Sequence, residues 1–270
     1  MFTPKKLNLE RGWPGLIAGD RVIQLAAQTL QAFFSGGGTA RHHAEFPLED
    51  VRLLAPVLHP PAVRDFYAFE QHVKSSRATR GLEVPAEWYE IPVFYFSNPA
   101  AIFGPDDEIP YPEGTAELDY ELEVAAVIGA EGRIGGFTIM NDWSARDLQR
   151  REMRVGLGPA KGKDFATSLG PVLVTADELG DEMVARVNGE ERSHGRLSEM
   201  HYSWDELVAQ AARNTVLRPG DVLGSGTVGT GCILELGDGR WLQPGDVVEL
   251  EVEGIGVLRN AIGPRAPVRS

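Results

Sequence analysis

The chain has a single cysteine, Cys232, among 270 residues. That excludes an internal disulfide and a zinc site built on several cysteines. In Gly231-Cys232-Ile233-Leu234 the thiol reads as a small buried hydrophobe rather than a nucleophile. Basic residues are also scarce, with Lys and Arg numbering 26 against 39 Asp and Glu, for a net charge of −13. Such a field disfavours nucleic acid and anionic membrane as partners, and an anionic substrate needs a local basic cluster. No apolar run approaches the roughly 20 residues needed to span a bilayer, and the N-terminus shows no signal-type apolar segment. Cytoplasm is therefore the expected compartment, and no membrane partner is expected.

What remains is an ordinary globular composition, 43% hydrophobic and 24% charged, long enough for one large domain with a smaller annex. Residues 1–60 read as that annex, a small α/β unit, and residues 61–270 as the main domain, with His59-Pro60-Pro61 between them. In the annex, Leu16–Leu25 predicts a hairpin turning at Gly19-Asp20, Ala26–Phe34 a helix, and Val51–Val57 a strand. His42-His43 is expected to be a solvated pair.

The main domain is organised around Leu118-Asp119-Tyr120-Glu121-Leu122-Glu123-Val124-Ala125-Ala126-Val127-Ile128-Gly129. The pattern predicts a strand entering from solvent and ending in the core. Glu121 and Glu123 then share a face, with Cα atoms about 7 Å apart. Two carboxylates that close either lie on a solvated edge strand or share a hard divalent cation. From Arg64 to Arg80 the spacing of Phe66, Phe69 and Val73 predicts a helix, placing Asp65 and His72 on one face. Gly135–Met140 predicts a strand that breaks into a helix, with Asp142, Arg146 and Gln149 at i, i+4 and i+7. The simpler alternative there is an N-cap aspartate followed by a solvated helix. Further strands are expected at Gly170–Thr175 and in a hairpin at Asn188-Gly189, with a helix over Trp204–Arg213. Pro219-Gly220-Asp221 and Pro244-Gly245-Asp246 turns give the last quarter a β-rich character.

Taken in order, these stretches resemble the fumarylacetoacetate hydrolase family. The resemblance rests on Asp65-Phe66-Tyr67 with His72, Leu118–Glu123, Asn141–Gln149, Gly162-Lys163 with Thr167, Ser225-Gly226-Thr227, and Pro244–Leu250 leading to Gly254–Asn260. It runs from about residue 60 to the C-terminus. It implies a β-rich α+β fold, a mixed β-sandwich-like roll with a small N-terminal domain, expected as a homodimer. It also implies Glu121, Glu123 and Asp142 as ligands of Mg²⁺, with Ca²⁺ or Mn²⁺ as alternatives, and Asp65 completing the set. His72 would be the general base, oriented by Glu235. Arg146 and Gln149 would hold a carboxylate or carbonyl, Lys163 and Thr227 would assist the developing enolate, and Tyr67 and Tyr95 would donate hydrogen bonds to substrate.

The expected reaction is hydrolysis of a carbon–carbon bond in a 3,5-diketo acid of the fumarylacetoacetate or acylpyruvate type, in aromatic amino-acid or aromatic-compound catabolism. The alternative is an isomerase, decarboxylase or hydratase acting on a 2-hydroxy-dienoate or oxo-dicarboxylate through the same metal–enolate chemistry. The His72 and Glu235 pair favours the hydrolase branch. Met153, where the fumarylacetoacetate enzyme has a tyrosine, and Gly226-Thr227-Val228, where bacterial relatives have Gly-Thr-Pro, depart from the pattern.

Overall fold

The computed structural model describes residues 1–7 and 9–265. Two sheets carry the fold, with few helices between and around them. The larger has seven strands, ordered Phe94–Ser97, Val63–Phe66, Val222–Gly224, Leu122–Ile128, Ile134–Asp142, Thr167–Val174 and Ile102–Phe103. Its pairs are mostly antiparallel, but Val222–Gly224 runs parallel to Val63–Phe66 and Thr167–Val174 parallel to Ile102–Phe103. The second has five strands, ordered Glu190–Arg196, Glu182–Val187, Val247–Val252, Gly256–Arg265 and Glu108–Tyr111. This is the expected β-rich mixed roll.

Leu122–Ile128 is central in the larger sheet and wholly buried. Alternation explains how one strand serves two cores. Val124, Ala126 and Ile128 face the second sheet, packing with Met183, Ala185, Leu250 and Val252. Ala125 and Val127 face the other way, against Val63, Met140, Leu169 and Phe34. Glu123 has the parity of Ala125 and Val127, so its carboxylate enters a packed layer. The solvated edge strand is therefore excluded, and so is entry of this stretch from solvent.

Three expected elements differ from those observed. The organising strand is interrupted: Leu118–Asp119 pairs with Ser144–Ala145, and the main strand resumes only at Leu122. At the break, the backbone NH of Glu121 donates to Asn141 Oδ1 and that of Leu122 to the carbonyl of Gly231. Second, Val63–Phe66 is a strand and the helix spans only Glu70–Ala78. Sheet pairing on both sides overrides a helical spacing that straddled the strand–helix junction. Third, Asp142 ends the strand Ile134–Asp142, while the following helix begins at Arg146 with Ala145 as an uncapped N-cap. Asp142 thus caps no helix. Shorter adjustments have local causes. The N-terminal helix spans Leu30–Ser35 because Thr29 caps it, and His42-His43 lies exposed on the strand His42–Pro47. The Gly19-Asp20 and Asn188-Gly189 hairpins form where the turn residues specify. Among the described residues, no helix is long and apolar enough to cross a membrane.

Residues 1–60 keep a small core of their own around Phe2, Val22 and Val51, yet Phe34 leaves it to pack with Val127 and Val222. Its ring lies where Gly129 and Gly135 carry no side chain; a Cβ on Gly135 would sit 2.5 Å from Phe34 Cζ. Phe34→Ala should therefore cost about 3–5 kcal/mol of stability by urea unfolding. A loss under about 1 kcal/mol would mean that the sheet does not depend on the N-terminal unit.

Candidate active site

The carboxyl-group cluster is assembled from neighbouring strands of the large sheet. Gly224 is the register partner of both Ala125 and Asp65, so Asp65 and Glu123 meet over a residue with no side chain. A Cβ at Gly224 would lie 2.5 Å from Asp65 Oδ1 and 3.0 Å from Glu123 Oε2. Asp65, Glu121 and Glu123 bring one oxygen each to within 4.8 Å of one another, all buried. Asp142 approaches from the next strand and is tied to the cluster through Lys163, whose Nζ donates to Glu121 Oε2 and Asp142 Oδ2, 2.5 Å each. The Tyr95 hydroxyl donates to the same Asp142 oxygen at 2.6 Å.

Electrostatics split the four acids into two kinds. Glu121 is buried, but Lys163 and Arg146, the latter 2.7 Å from its Oε1, outweigh burial and hold its carboxyl below the ordinary range. For Asp65, burial and the charge of Asp142 push the carboxyl well up; for Glu123, burial and Asp65 do the same. Burial also raises Asp142, with Lys163 opposing. Too few cations face these acids, so without another positive charge some must hold protons. Asp65 Oδ1 and Asp142 Oδ1 are buried with no hydrogen-bond partner among the described residues. An all-oxygen donor set with unused lone pairs and a cradle kept open by glycine fits a hard divalent cation.

The same cavity holds His72, on the helix Glu70–Ala78. Its Nδ1 lies 2.7 Å from Glu235 Oε2, on the short helix Ile233–Leu236. Tyr67 packs its ring edge-on to His72 at 5.3 Å, with its hydroxyl paired to Ser76 Oγ. Arg146 Nη1 donates to Gln149 Oε1 at 3.2 Å. Thr227 Oγ1 donates to Glu123 Oε1, as does the NH of Gly226 to Glu123 Oε2, 3.2 Å each. The sequence-derived residues thus converge, and all but Asp142 and Glu235 line one cavity of about 720 Å³. In this arrangement Tyr95 and Thr227 spend their hydroxyl protons on the carboxylates, and Tyr67 pairs with Ser76, rather than pointing free donors at a ligand.

Asp119 went unassigned in the sequence and proves central. Fully buried, it accepts from Arg146 Nε at 2.8 Å and from the NH groups of Ile233 and Leu234 at 2.7 and 3.1 Å. One carboxylate therefore fixes both the arginine and the helix start that carries Glu235. Its place beside Glu121 in the organising stretch was the available signal. Gly224 gave none, because its role depends on sheet register.

Residues 62–263 match the family described as fumarylacetoacetate (FAA) hydrolase C-terminal. The chain belongs to the fumarylacetoacetate hydrolase family. It is 34% identical over 234 residues to the mitochondrial oxaloacetate tautomerase of Homo sapiens, covering 80% of this chain and 71% of that one. Among solved structures it resembles 5-carboxymethyl-2-hydroxymuconate delta-isomerase from Mycobacterium smegmatis, with a TM-score of 0.73 and 30% identity over 94% of each chain. It also resembles the fumarylacetoacetate hydrolase of psychrophilic Exiguobacterium antarcticum, with a TM-score of 0.78 and 28% identity, covering 94% of this chain and 96% of that one. The family is one of enzymes. The tautomerase and the isomerase among them favour the isomerase-type alternative over the carbon–carbon hydrolysis expected from the His72 and Glu235 pair.

Two outcomes follow from the cluster. Gly224→Ala should weaken Mg²⁺ binding at least about tenfold in calorimetry while the circular dichroism spectrum is kept; undiminished affinity would remove the ion from this cradle. The second concerns pH. Asp65 and Glu123 have folded pKa values raised above the unfolded ones, so their contribution to the metal-free fold is greatest below about pH 4. It is lost as pH rises through the raised values. Glu121 works with the opposite sign. A bound cation removes the penalty on the raised pair, so the Tm difference between Mg²⁺-loaded and chelator-treated protein should widen from pH 5 upward. A difference independent of pH would show that no ion engages these acids.

Proposed function

We propose that the protein is a divalent-metal-dependent tautomerase or isomerase of small 2-oxo dicarboxylates, relocating a proton through an enolate. The carrying observation is that one proton-transfer group, His72, lines the same cavity as an acidic cation cradle and two buried cations. Relocating a proton needs one base and a stabilised oxyanion, and this cavity supplies both.

Glu235 occupies Nδ1 of His72, which leaves Nε2 to accept a proton from the substrate carbon and return it. Lys163 and Arg146 are held positive, as their neighbouring acids outweigh burial, and bring fixed charge to the place where the oxyanion develops. Asp65, Glu121 and Glu123, with the unpaired oxygen of Asp142, would hold Mg²⁺, which when bound acts as a Lewis acid toward the substrate oxygens. Substrate anions are recognised against the overall negative charge by Arg77, Arg80, Arg150 and Arg154, which also line the cavity. A wall with that many guanidinium groups suits a second carboxylate better than the alkyl tail of an acylpyruvate. Met153, among these arginines, gives the wall no polar contact where a tyrosine would.

A second reading, hydrolysis of a 3,5-diketo acid, is favoured by the His72–Glu235 contact, since the same base could activate water. The test follows the ultraviolet absorbance of enol-oxaloacetate with Mg²⁺-loaded protein, beside fumarylacetoacetate and an acylpyruvate. Accelerated enol–keto conversion without cleavage is expected. His72→Ala should lower kcat by about 10²–10⁴-fold with little change in KM, the pattern of a group acting mainly in the transition state. Cleavage of a diketo acid with oxaloacetate unaffected would replace this reading by hydrolysis.

A further inference from the structure

Behind the wall that carries His72 lies a second cluster of unlike donors. His72, Cys232 and Glu235 bring a nitrogen, a sulfur and an oxygen to within 4.8 Å of one another. Cys232 Sγ is 3.6 Å from Glu235 Oε2, and His72 Nδ1 is 2.7 Å from the same oxygen. All three side chains are buried, and Glu235 Oε1 is buried with no hydrogen-bond partner among the described residues. The proposed reaction gives Cys232 no task. Burial keeps its thiol well above the ordinary cysteine range, so it is a neutral S–H beside the base.

We propose that His72, Cys232 and Glu235 form a second metal site, selective for a borderline-soft divalent ion of the zinc type, whose occupation shuts the enzyme down by capturing its base. Donor chemistry makes the choice. Thiolate, imidazole and carboxylate are zinc ligands, whereas Mg²⁺ prefers oxygen alone. With metal bonds of about 2.3 Å to sulfur and about 2.0–2.2 Å to nitrogen and oxygen, tetrahedral neighbours lie about 3.3–3.7 Å apart. The Sγ–Oε2 separation already meets that spacing. The Nδ1–Oε2 contact must open by roughly half an ångström, or the unpaired Oε1 must turn in. The S–H bond breaks and metal–sulfur, metal–nitrogen and metal–oxygen bonds form. The thiol proton leaves to solvent and the Nδ1 proton moves to Nε2, which thereby loses the lone pair that the reaction needs, and nothing is oxidised or reduced. Both His72 and Leu234 line the cavity, so the ion's path is that of the substrate. The same cavity would then carry a hard site that activates and a soft site that inhibits.

Cobalt reports this site directly, because a thiolate bound to Co²⁺ gives a charge-transfer band in the near ultraviolet that oxygen ligands do not. Co²⁺ is titrated into the full-length, Mg²⁺-saturated protein and into Cys232→Ala and Cys232→Ser. The band is expected in the wild type, saturating at one ion, and is expected to be lost in both variants. Zn²⁺ added over excess Mg²⁺ should inhibit the wild type, and the variants, with wild-type turnover in Mg²⁺ alone, should require at least about tenfold more. Absence of the band in the wild type overturns the proposal, as does equal Zn²⁺ inhibition of all three proteins, which would place zinc in the carboxylate cluster. The spectroscopic arm stands whatever the substrate proves to be. A band without turnover of oxaloacetate would therefore count against the proposed function and not against this site.

Discussion

The structure turns on a surplus of buried negative charge. Asp65, Asp119, Glu121, Glu123 and Asp142 all lie inside the protein, and among the described residues the buried cations paired with them are Arg146 and Lys163. Each ionised carboxylate taken from water without a partner carries a penalty of several kcal/mol. Arg146 pairs with Asp119 and Glu121, and Lys163 with Glu121 and Asp142. Among the described residues no cation pairs with Asp65 or Glu123, and Glu123 has only neutral donors, Thr227 Oγ1 and the NH of Gly226. A fold holding that imbalance in a fixed geometry is poised for a cation supplied from outside.

Keeping the imbalance in place is the work of the large sheet. The acids come from strands that are distant in sequence but adjacent in register, so backbone hydrogen bonds rather than flexible side chains set their spacing. Glycine at position 224 leaves the space between Asp65 and Glu123 open, and packing on both faces of Leu122–Ile128 prevents the strand from yielding. Asp119 extends the same rigidity to the His72–Glu235 pair by holding both Arg146 and the helix start that positions Glu235.

This arrangement explains how one family can contain proteins named tautomerase, isomerase and hydrolase. Each of these reactions needs an enolate-like oxyanion beside positive charge and a base within reach. Whether the base meets a carbon-bound proton or a water molecule depends on how the rest of the cavity seats the substrate. Met153 and the arginines that line the cavity therefore bear on the reaction more than the acidic cluster does.

Much was legible in the sequence, for reasons of local chemistry. Turn residues fixed the Gly19-Asp20 and Asn188-Gly189 hairpins, and the ordered motifs identified the family and ten of the twenty-two residues lining the cavity. Tertiary structure alone decided the rest. The Arg64–Arg80 segment shows helical spacing, but pairing with two other strands makes its first part a sheet member, and only the folded chain supplies those partners. Asp142 and Arg146 lie on either side of a strand–helix junction rather than along one helix, because the strand's register carries Asp142 to the end of the sheet. Whether Glu121 and Glu123 faced water or a buried cradle depended on the neighbours of their strand. A run of alternating residues is the same at the edge of a sheet and at its centre. Its sequence encodes which side chains share a face, and only the assembled sheet determines what that face meets.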